Sequence, residues 1–333
     1  MKKTFEKEAV LKSYQRKQLL ITLLPAVALL VLFTVLCILV KSNGFRLDIY
    51  LKKILNEGVV LAVVATGAIF IYSLGSFDIS LGASTLFSAT LGVMAYNATE
   101  SLPVMIAVIF GVAIGCSLLS SVLASVFHIP VFVTTVAMMS VLTAVASQII
   151  SVNGGALGGI SIPNALVKPL DNIPFKLMML LSYAALCIFV FNFTKLGRRL
   201  KFLGGNPNCA KLSGIRADRY AILAFVMAGI GVGLGAFLTL VYTPSVTATT
   251  AGGIGMNVIV AIVFGGMPIS GGPRSRIYSA LMGGFSYILL NNILKMLISG
   301  NAGYGISQIV SAVFFLAVVY ITGINYRTKL LAR

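Results

Sequence analysis

The stretch KLGRRLKFLGGNPNCAKLSGIRADR, residues 195–219, interrupts an otherwise apolar chain and is enclosed by long apolar runs on both sides. It carries seven Lys or Arg residues, one Asp and the helix breakers Gly204, Gly205 and Pro207. A charge at the centre of a bilayer costs roughly 2.5–3.5 kcal/mol, so this stretch is predicted to lie in water between two membrane spans. Because Lys and Arg accumulate in cytoplasmic loops, the stretch is predicted to be cytoplasmic.

After the glycine pair the sequence predicts a short helix over residues 207–215, since proline is favoured in the first turn of a helix. The apolar residues of this helix are Ala210, Leu212 and Ile215. An apolar face on a helix that lies in water favours docking against a cytosolic partner. The alternative interpretation is a solvated basic loop that contacts lipid.

The composition of the 333 residues is that of a membrane protein. Hydrophobic residues make up 58% of the chain, charged residues make up 10%, and the mean hydropathy is +1.01. These values predict an all-α polytopic membrane protein in contact with lipid. The net charge of +17 would also fit a nucleic-acid-binding protein. The cations cluster at the ends of apolar runs, however, so nucleic acid is not a predicted partner.

The chain offers few groups for chemistry. It has one histidine, four cysteines without CxxC spacing, and no nucleotide-binding sequence of the form GxxxxGK followed by Ser or Thr. A metal site, a nucleophilic triad and direct ATP binding are therefore not predicted, and the chain is expected to be non-catalytic. ATP that drives its work would be hydrolysed by a partner subunit.

Apolar runs predict about ten transmembrane helices. They lie at residues 19–40, 57–74, 83–96, 104–127, 131–152, 175–193, 220–242, 254–266, 277–298 and 305–322. Residues 41–56 are predicted to be an amphipathic segment at the outer surface. The predicted divisions are a basic tail (1–18), a first transmembrane half (19–194), a cytoplasmic coupling loop (195–219), a second transmembrane half (220–324) and a tail (325–333).

The distribution of charge supports this topology. With ten spans both termini lie in the cytoplasm, and 18 of the 25 Lys and Arg residues fall on the inner side of the cell membrane. The ten spans form two inverted halves of five. The third and eighth spans are short and contain glycine, so both are predicted to be broken, unless the third takes in the peptide that carries Asp78. Matching broken segments in inverted halves indicate a transport pathway.

Three peptides carry a resemblance to a known family. GSFDISLG at residues 75–82 resembles the GGIDLSVG signature of the ribose-type (monosaccharide) permease family of ABC importers. LGGNPNCAKLSGI at residues 203–215 resembles the GGNxxAAxxSGI coupling loop of that family. GGMPISGG at residues 265–272, followed by Asn291 and Asn292, is similar to its GGxSLxGG and NN pair. The order and spacing of these peptides agree across nearly the whole chain.

The resemblance implies an inner-membrane permease component of a binding-protein-dependent transport system. Such a permease dimerises with a second copy or a paralogue, receives solute from an extracytoplasmic solute-binding protein, and is driven by a cytosolic ABC ATPase subunit. Gly214 is expected to need close backbone contact or a positive φ. The implied ATPase-coupling residues are Gly204, Gly205, Asn206, Ala210, Leu212, Ser213, Gly214 and Ile215.

Polar residues in or beside the apolar runs are candidates for a translocation pathway or gate. They are Asp78, Ser80, Asn257, Asn291 and Asn292. Asp78 is the only carboxylate at the predicted membrane depth, so it either serves the pathway or caps the following helix by accepting backbone N–H bonds. The asparagines either line the pathway or form hydrogen bonds between helices.

The favoured function is that of a permease subunit for an ATP-driven importer of a small neutral polar solute. Few charges line the membrane interior, which favours a hydroxyl-rich molecule such as a monosaccharide, although a nucleoside would pass the same test. Ser76 and Phe77 depart from the family signature and leave the solute open. An ion-coupled secondary transporter or channel is the alternative, but it would usually need several intramembrane charges. An integral membrane enzyme lacks candidate catalytic groups.

Overall fold

The structure is a computed structural model that describes residues 23, 25–42, 44, 46–155, 158–268, 271–297, 309, 312, 313, 316 and 320. Over these residues the chain forms helices joined by turns, with two three-residue strands. The elements are α1 (Pro25–Ser42), α2 (Leu47–Ser73), α3 (Leu81–Thr99), α4 (Leu102–Val126), α5 (Val131–Asn153), β1 (Gly159–Ser161), α6 (Asn164–Val167), α7 (Ile173–Phe193), α8 (Lys195–Gly205), α9 (Pro207–Leu212), α10 (Ala217–Tyr242), β2 (Ser245–Thr247), α11 (Ile254–Phe264), a 3-10 turn (Gly272–Arg274) and α12 (Ile277–Leu297).

Seven helices in the described part of the chain are long and apolar enough to cross a membrane. They are α1, α2, α4, α5, α7, α10 and α12. In hydrocarbon a backbone can satisfy its N–H and C=O groups only within its own helix or a closed barrel, so each such run must be helical. The protein is therefore a polytopic helical membrane protein.

Most predicted spans agree closely with the observed helices. Helices α4, α5, α7, α10 and α12 begin and end within three residues of the predicted runs. The short run predicted at residues 254–266 forms α11, which has 11 residues. The predicted tenth span, residues 305–322, lies outside the described residues except for five positions.

The second span begins earlier than the sequence predicted. Helix α2 starts at Leu47, ten residues before the predicted boundary, so the predicted surface segment is the first part of the same helix. Lys52 and Lys53 are exposed there, while Ile54 and Asn56 are buried. No glycine or proline lies between residues 47 and 57, so nothing ends the helix where its apolar character changes.

The third span is not broken by glycine, so that form of the prediction is wrong, and α11 of the eighth span is likewise unbroken over its 11 residues. Helix α3 runs without interruption for 19 residues through Gly92. A Cβ added to Gly92 would lie 2.3 Å from the side chain of Ile109 on α4, so this glycine permits close helix packing. The irregular backbone precedes α3 and occupies residues 74–80.

The glycine pair of the cationic stretch does not form the predicted turn. Gly204 and Gly205 are the last residues of α8, and the break falls at Asn206. A Cβ on Gly204 would lie 1.9 Å from the carbonyl oxygen of Ser73, and one on Gly205 would lie 3.1 Å from the ring of Pro273. The two glycines therefore allow α8 to pack closely. The following helix, α9, ends three residues before the predicted boundary.

Helix α2 lies at the centre of the bundle. All of its residues from 58 to 73 are buried, and it packs against α7, α10, α11 and α12. A Cβ on Gly67 of α2 would lie 3.1 Å from the Cα of Ala228 on α10. Tyr183 of α7 donates a hydrogen bond of 2.7 Å to the Met227 carbonyl at this contact. Small residues permit such close approach, as is common between membrane helices.

Two short strands join distant parts of the chain. Strand β1 pairs antiparallel with β2, with Ile160 opposite Val246 and both side chains buried. The pair links the connection between α5 and α7 to the segment between α10 and α11. The sequence analysis did not predict these strands, because three residues are too few to show an alternating pattern.

Candidate functional site

Two irregular peptides meet inside the bundle, one before α3 and the other before α11. A Cβ on Gly255 would lie 2.1 Å from the Ile79 carbonyl oxygen. One on Gly82 would lie 2.7 Å from the Ala251 carbonyl oxygen. Only glycine permits backbones to approach this closely. The N-terminal ends of α3 and α11 are therefore held side by side.

A cavity of about 480 Å³ lies where these peptides meet. Its walls come from α3, α5 and the start of α11 with the segment before it. The side chains that line it carry no charge, and Ser140 and Thr143 contribute hydroxyl groups. Its size is within the range of small-molecule sites. The lining residues are Ile79, Gly82, Ala83, Leu86, Met139, Ser140, Thr143, Ala144, Ala248, Gly252, Gly255 and Met256.

Asp78 and Ser80 lie beside this cavity and shape its wall without lining it. Both are buried. The Asp78 Oδ1 accepts hydrogen bonds from the backbone N–H of Ser80 at 2.8 Å and from its hydroxyl at 2.6 Å. Between them, the backbone N–H of Ile79 donates to Thr135 Oγ1 at 3.4 Å. The carboxylate thus holds the turn that places Ile79 in the lining.

The three candidate asparagines lie outside the cavity lining. Asn257 of α11 accepts a hydrogen bond of 2.8 Å from the Tyr287 hydroxyl of α12. Asn292 of α12 donates to the Glu57 carboxylate of α2 at 3.2 Å, and Asn291 is partly exposed on α12. Asn257 and Asn292 therefore join helices. Glu57 lies within α2, one of the helices long enough to cross a membrane, so Asp78 is not the only carboxylate in or beside the candidate spans.

Helix α9 is held by residues at its two ends. The Asn206 side chain accepts a hydrogen bond of 3.0 Å from the Cys209 backbone N–H, which caps the start of the helix. The Ser213 hydroxyl donates to the Cys209 carbonyl at 2.9 Å. Gly214 has φ +73°, which confirms the expected positive φ, and a Cβ there would meet no atom within 4 Å. The need for glycine at this position is conformational.

The apolar residues of the predicted coupling loop are not equally exposed. Ala210 is fully buried, Ile215 is partly buried, and Leu212 is 89% exposed. Ala210 therefore fixes α9 against the bundle, while Leu212 presents an apolar surface. The sequence pattern grouped these three residues and could not separate their roles.

The end of α8 meets the end of α2 through backbone contacts. A Cβ on Gly204 would lie 1.9 Å from the carbonyl oxygen of Ser73, and one on Gly271 would lie 2.1 Å from that of Tyr72. We call this contact of Ser73, Gly204 and Gly271 the α2–α8 junction. The chain runs from Ser73 directly into the peptide that carries Ile79 to the cavity. The junction and the cavity wall are thus seven residues or fewer apart along the chain.

Helix α8 lies along the bundle with one apolar side. Leu200 and Leu203 are buried, and the ammonium of Lys201 lies 4.3 Å from the centroid of the Phe191 ring. It also donates to Asn192 Oδ1 at 3.2 Å. Burial lowers the pKa of Lys201, and the positive charge of Arg276 lowers it further. The long side chain covers apolar surface while its cation stays near water.

A polar cluster at the other end of α7 was missed by the sequence analysis. Buried Lys176 of α7 donates to Asn56 of α2 and pairs with Asp171, whose other oxygen lies 2.8 Å from the Lys52 ammonium. Burial raises the pKa of the Asp171 carboxyl, but hydrogen bonds from Lys176 and Lys52 outweigh burial and hold that pKa below its usual value. The cluster fixes α2 against α7. The signal for it was a lysine inside an apolar run.

The fold and the cavity together define a class: a polytopic helical membrane protein with an uncharged cavity among its helices. A family model described as branched-chain amino acid transport system / permease component matches residues 50–323. The chain belongs to this family of transport permeases, which confirms the membership predicted from the three peptides. The match includes both the cavity and the α2–α8 junction.

Several curated relatives are permeases of import systems. The chain is 28% identical to the ribose import permease protein of Escherichia coli (strain K12), over 89% of this chain and 91% of that protein. It is 26% identical to a probable ABC transporter permease protein of the same strain, over 86% of each chain. It is also 26% identical to the autoinducer 2 import system permease protein of Yersinia enterocolitica, over 81% of this chain and 74% of that protein. No solved structure matches the chain significantly.

Proposed function

We propose that this chain is the transmembrane permease subunit of an ATP-driven, binding-protein-dependent importer of a small neutral polar solute, with a monosaccharide as the solute. The observation that carries the proposal is the uncharged cavity of about 480 Å³ in a chain that belongs to a permease family. A charged solute would lose its hydration there without gaining a counter-charge. The relative that imports ribose supports a sugar.

The proposed energy source is a cytosolic ABC ATPase subunit that docks on α8 and α9. Leu212 supports this site, because an apolar side chain that is 89% exposed can leave water against a partner groove. Movement of α8 would act on Ser73 through Gly204 at the α2–α8 junction. Ser73 leads to Ile79 in the cavity wall, so docking and solute access are linked by continuous backbone. Closure of the ATPase would then alternate the opening of the pathway.

Ten crossings and cytoplasmic termini complete the proposal. The seven long apolar helices would be joined by α3, by α11 with the segment before it, and by the predicted span at residues 305–322. Six predicted spans precede the cationic stretch, so two inverted halves of five would divide at the connection 154–172 and not at 195–219. The α8–α9 end would face the cytoplasm, since it carries the cationic stretch. The partners at the other face and within the membrane would be a solute-binding protein and a second permease copy or paralogue.

Reconstitution tests the function. The full-length permease, its ATPase and its binding protein would be placed in liposomes and assayed for uptake of radiolabelled D-ribose, D-allose and uridine. We expect ATP-dependent uptake of a monosaccharide that requires all three components. Uptake by the permease alone, driven by an ion gradient, would overturn the proposal in favour of a secondary transporter. Uptake of uridine without any sugar would overturn the solute class only.

Labelling tests the orientation. Single cysteines at Arg199 and Lys168, in a chain whose four native cysteines are replaced, would be exposed to an impermeant thiol reagent in cells. We expect labelling at position 168 from outside and at position 199 only after the membrane is opened. Labelling of both from outside would contradict the ten-span topology.

A further inference from the structure

Two hydroxyl groups lie on the α5 wall of the cavity, at Ser140 and Thr143. Residues three apart on a helix are neighbours on one face, with Cβ atoms about 5–6 Å apart. They are the side-chain hydroxyls among the residues that line the cavity, whose other members are apolar or lack a side chain beyond Cβ. The polar character of the lining side chains is thus concentrated on one turn of one helix.

The Thr143 hydroxyl is available to a ligand. Helix threonines of this chain commonly donate to the carbonyl four residues earlier, as Thr66, Thr85 and Thr239 do at 2.6–2.8 Å. Within the described residues, Thr143 makes no such bond. Ser140 donates to the Val136 carbonyl at 3.2 Å, which leaves its oxygen free to accept. Together the two hydroxyls can donate one hydrogen bond and accept several from a molecule in the cavity.

The remaining walls suit the apolar faces of the same molecule. Met139 and Met256 supply polarizable side chains, and Leu86 supplies an apolar one. Gly252 and Gly255 expose backbone on the facing wall. A sugar ring has C–H faces, which would pack against the apolar walls, and a hydroxyl-bearing edge, which would form hydrogen bonds with Ser140 and Thr143. The lining carries no charge that could compensate a charged group.

We propose that Ser140 and Thr143 are the solute-contacting residues that determine specificity, and that they form hydrogen bonds with adjacent hydroxyl groups of a small neutral polyol. The inference rests on the proposed function and deepens it, since it assigns recognition to two residues of the same cavity. It moves specificity away from Asp78, Asn257 and Asn292, which hold backbone and helices in place.

Uptake by the complete transporter tests this assignment, with labelled D-ribose and D-allose and with 2-deoxy-D-ribose as a competitor. Thr143→Val and Ser140→Ala should each raise KM about three- to tenfold, the range that one neutral hydrogen bond supplies. They should also reduce the preference for the sugar over its deoxy analogue. Thr143→Ser, which keeps the hydroxyl, should recover most of the affinity. Ser182→Ala is the matched control, because Ser182 is an exposed serine of α7 outside the cavity.

The outcomes separate the two proposals. If the unaltered transporter takes up no monosaccharide, the proposed function fails and this assignment fails with it. If it takes up sugar while both variants keep the original KM and preference, the assignment alone is overturned. Should a variant not reach the membrane, cysteine at position 143 in the cysteine-free chain replaces it. Protection of that cysteine from a small thiol reagent by the transported sugar supports the assignment, and equal labelling with and without sugar overturns it.

Discussion

Replacing Gly204 by alanine tests the α2–α8 junction with the smallest possible change. The added Cβ would lie 1.9 Å from the carbonyl oxygen of Ser73, whereas real Cβ contacts are essentially never shorter than 3.0 Å. Helix α8 must therefore move away from α2 by more than 1 Å. The obstacle is backbone on both sides, so no side chain can rotate to relieve it.

The expected size of the effect follows from overpacking. Inserting one methyl group into a close contact typically costs about 1–3 kcal/mol. If the junction is formed more tightly in one transport state than in the other, that cost shifts the equilibrium between the states by about five- to 150-fold. We therefore expect ATP-driven uptake to fall at least fivefold, while membrane insertion persists.

Three measurements on one preparation check this prediction: uptake in liposomes, co-purification of the ATPase, and the melting temperature in detergent. Gly111→Ala is the matched control, since Gly111 lies within α4 and an added Cβ there would meet no atom within 4 Å. Wild-type uptake together with an unchanged melting temperature for Gly204→Ala would refute the close contact of Gly204 with Ser73. A lower melting temperature with wild-type uptake would leave the contact in place and refute its part in transport.

Three further perturbations address separate sites. Gly214→Leu should insert normally but lose ATPase association or uptake, because φ +73° costs a residue with a side chain about 1–2 kcal/mol. Gly214→Asn should lose less. Equal co-purification of the ATPase with both variants and with the native chain would contradict this prediction. Asp78→Asn should retain most uptake, since an amide oxygen can still accept the two bonds from Ser80, whereas Asp78→Ala should lower uptake and melting temperature; a complete loss in the Asn variant would show that the charge itself is needed. Asp171→Asn should lower stability at pH 7 by about 1.5–3 kcal/mol. Because the pKa of Asp171 is depressed in the folded chain, its contribution is present above the unfolded value of about 3.9 and is lost as the pH falls through the lower folded value. The melting temperatures of variant and native chain should therefore begin to converge below about pH 4 and continue to converge as the pH falls toward the folded value. A difference that is constant from pH 7 to pH 3 would exclude the ion pair as its cause.

The sequence by itself determined where most membrane helices lie. The long apolar runs that became α4, α5, α7, α10 and α12 left their backbones no partner in hydrocarbon except the helix, so composition alone fixed their structure. The sequence also predicted that Gly214 needs either close backbone contact or a positive φ, and the structure shows the positive φ. These features depend on residues that are close in sequence or on the surrounding hydrocarbon, so one sequence is enough to predict them.

The tertiary structure alone decided what the other glycines do. Glycine disfavours a helix, yet Gly92 and Gly204 each lie in one. At both positions another backbone or side chain occupies the space that a Cβ would take, so only glycine fits there. The cavity has the same origin: Ser140 and Thr143 on α5 face Gly255 only because α3 and α11 start side by side. No periodicity in the sequence records which helices will be neighbours. Contacts between residues more than a hundred positions apart place Glu57 beside Asn292 and bring Ile79, next to Asp78, against Gly255. Leu212 is exposed because the described part of the chain leaves it uncovered.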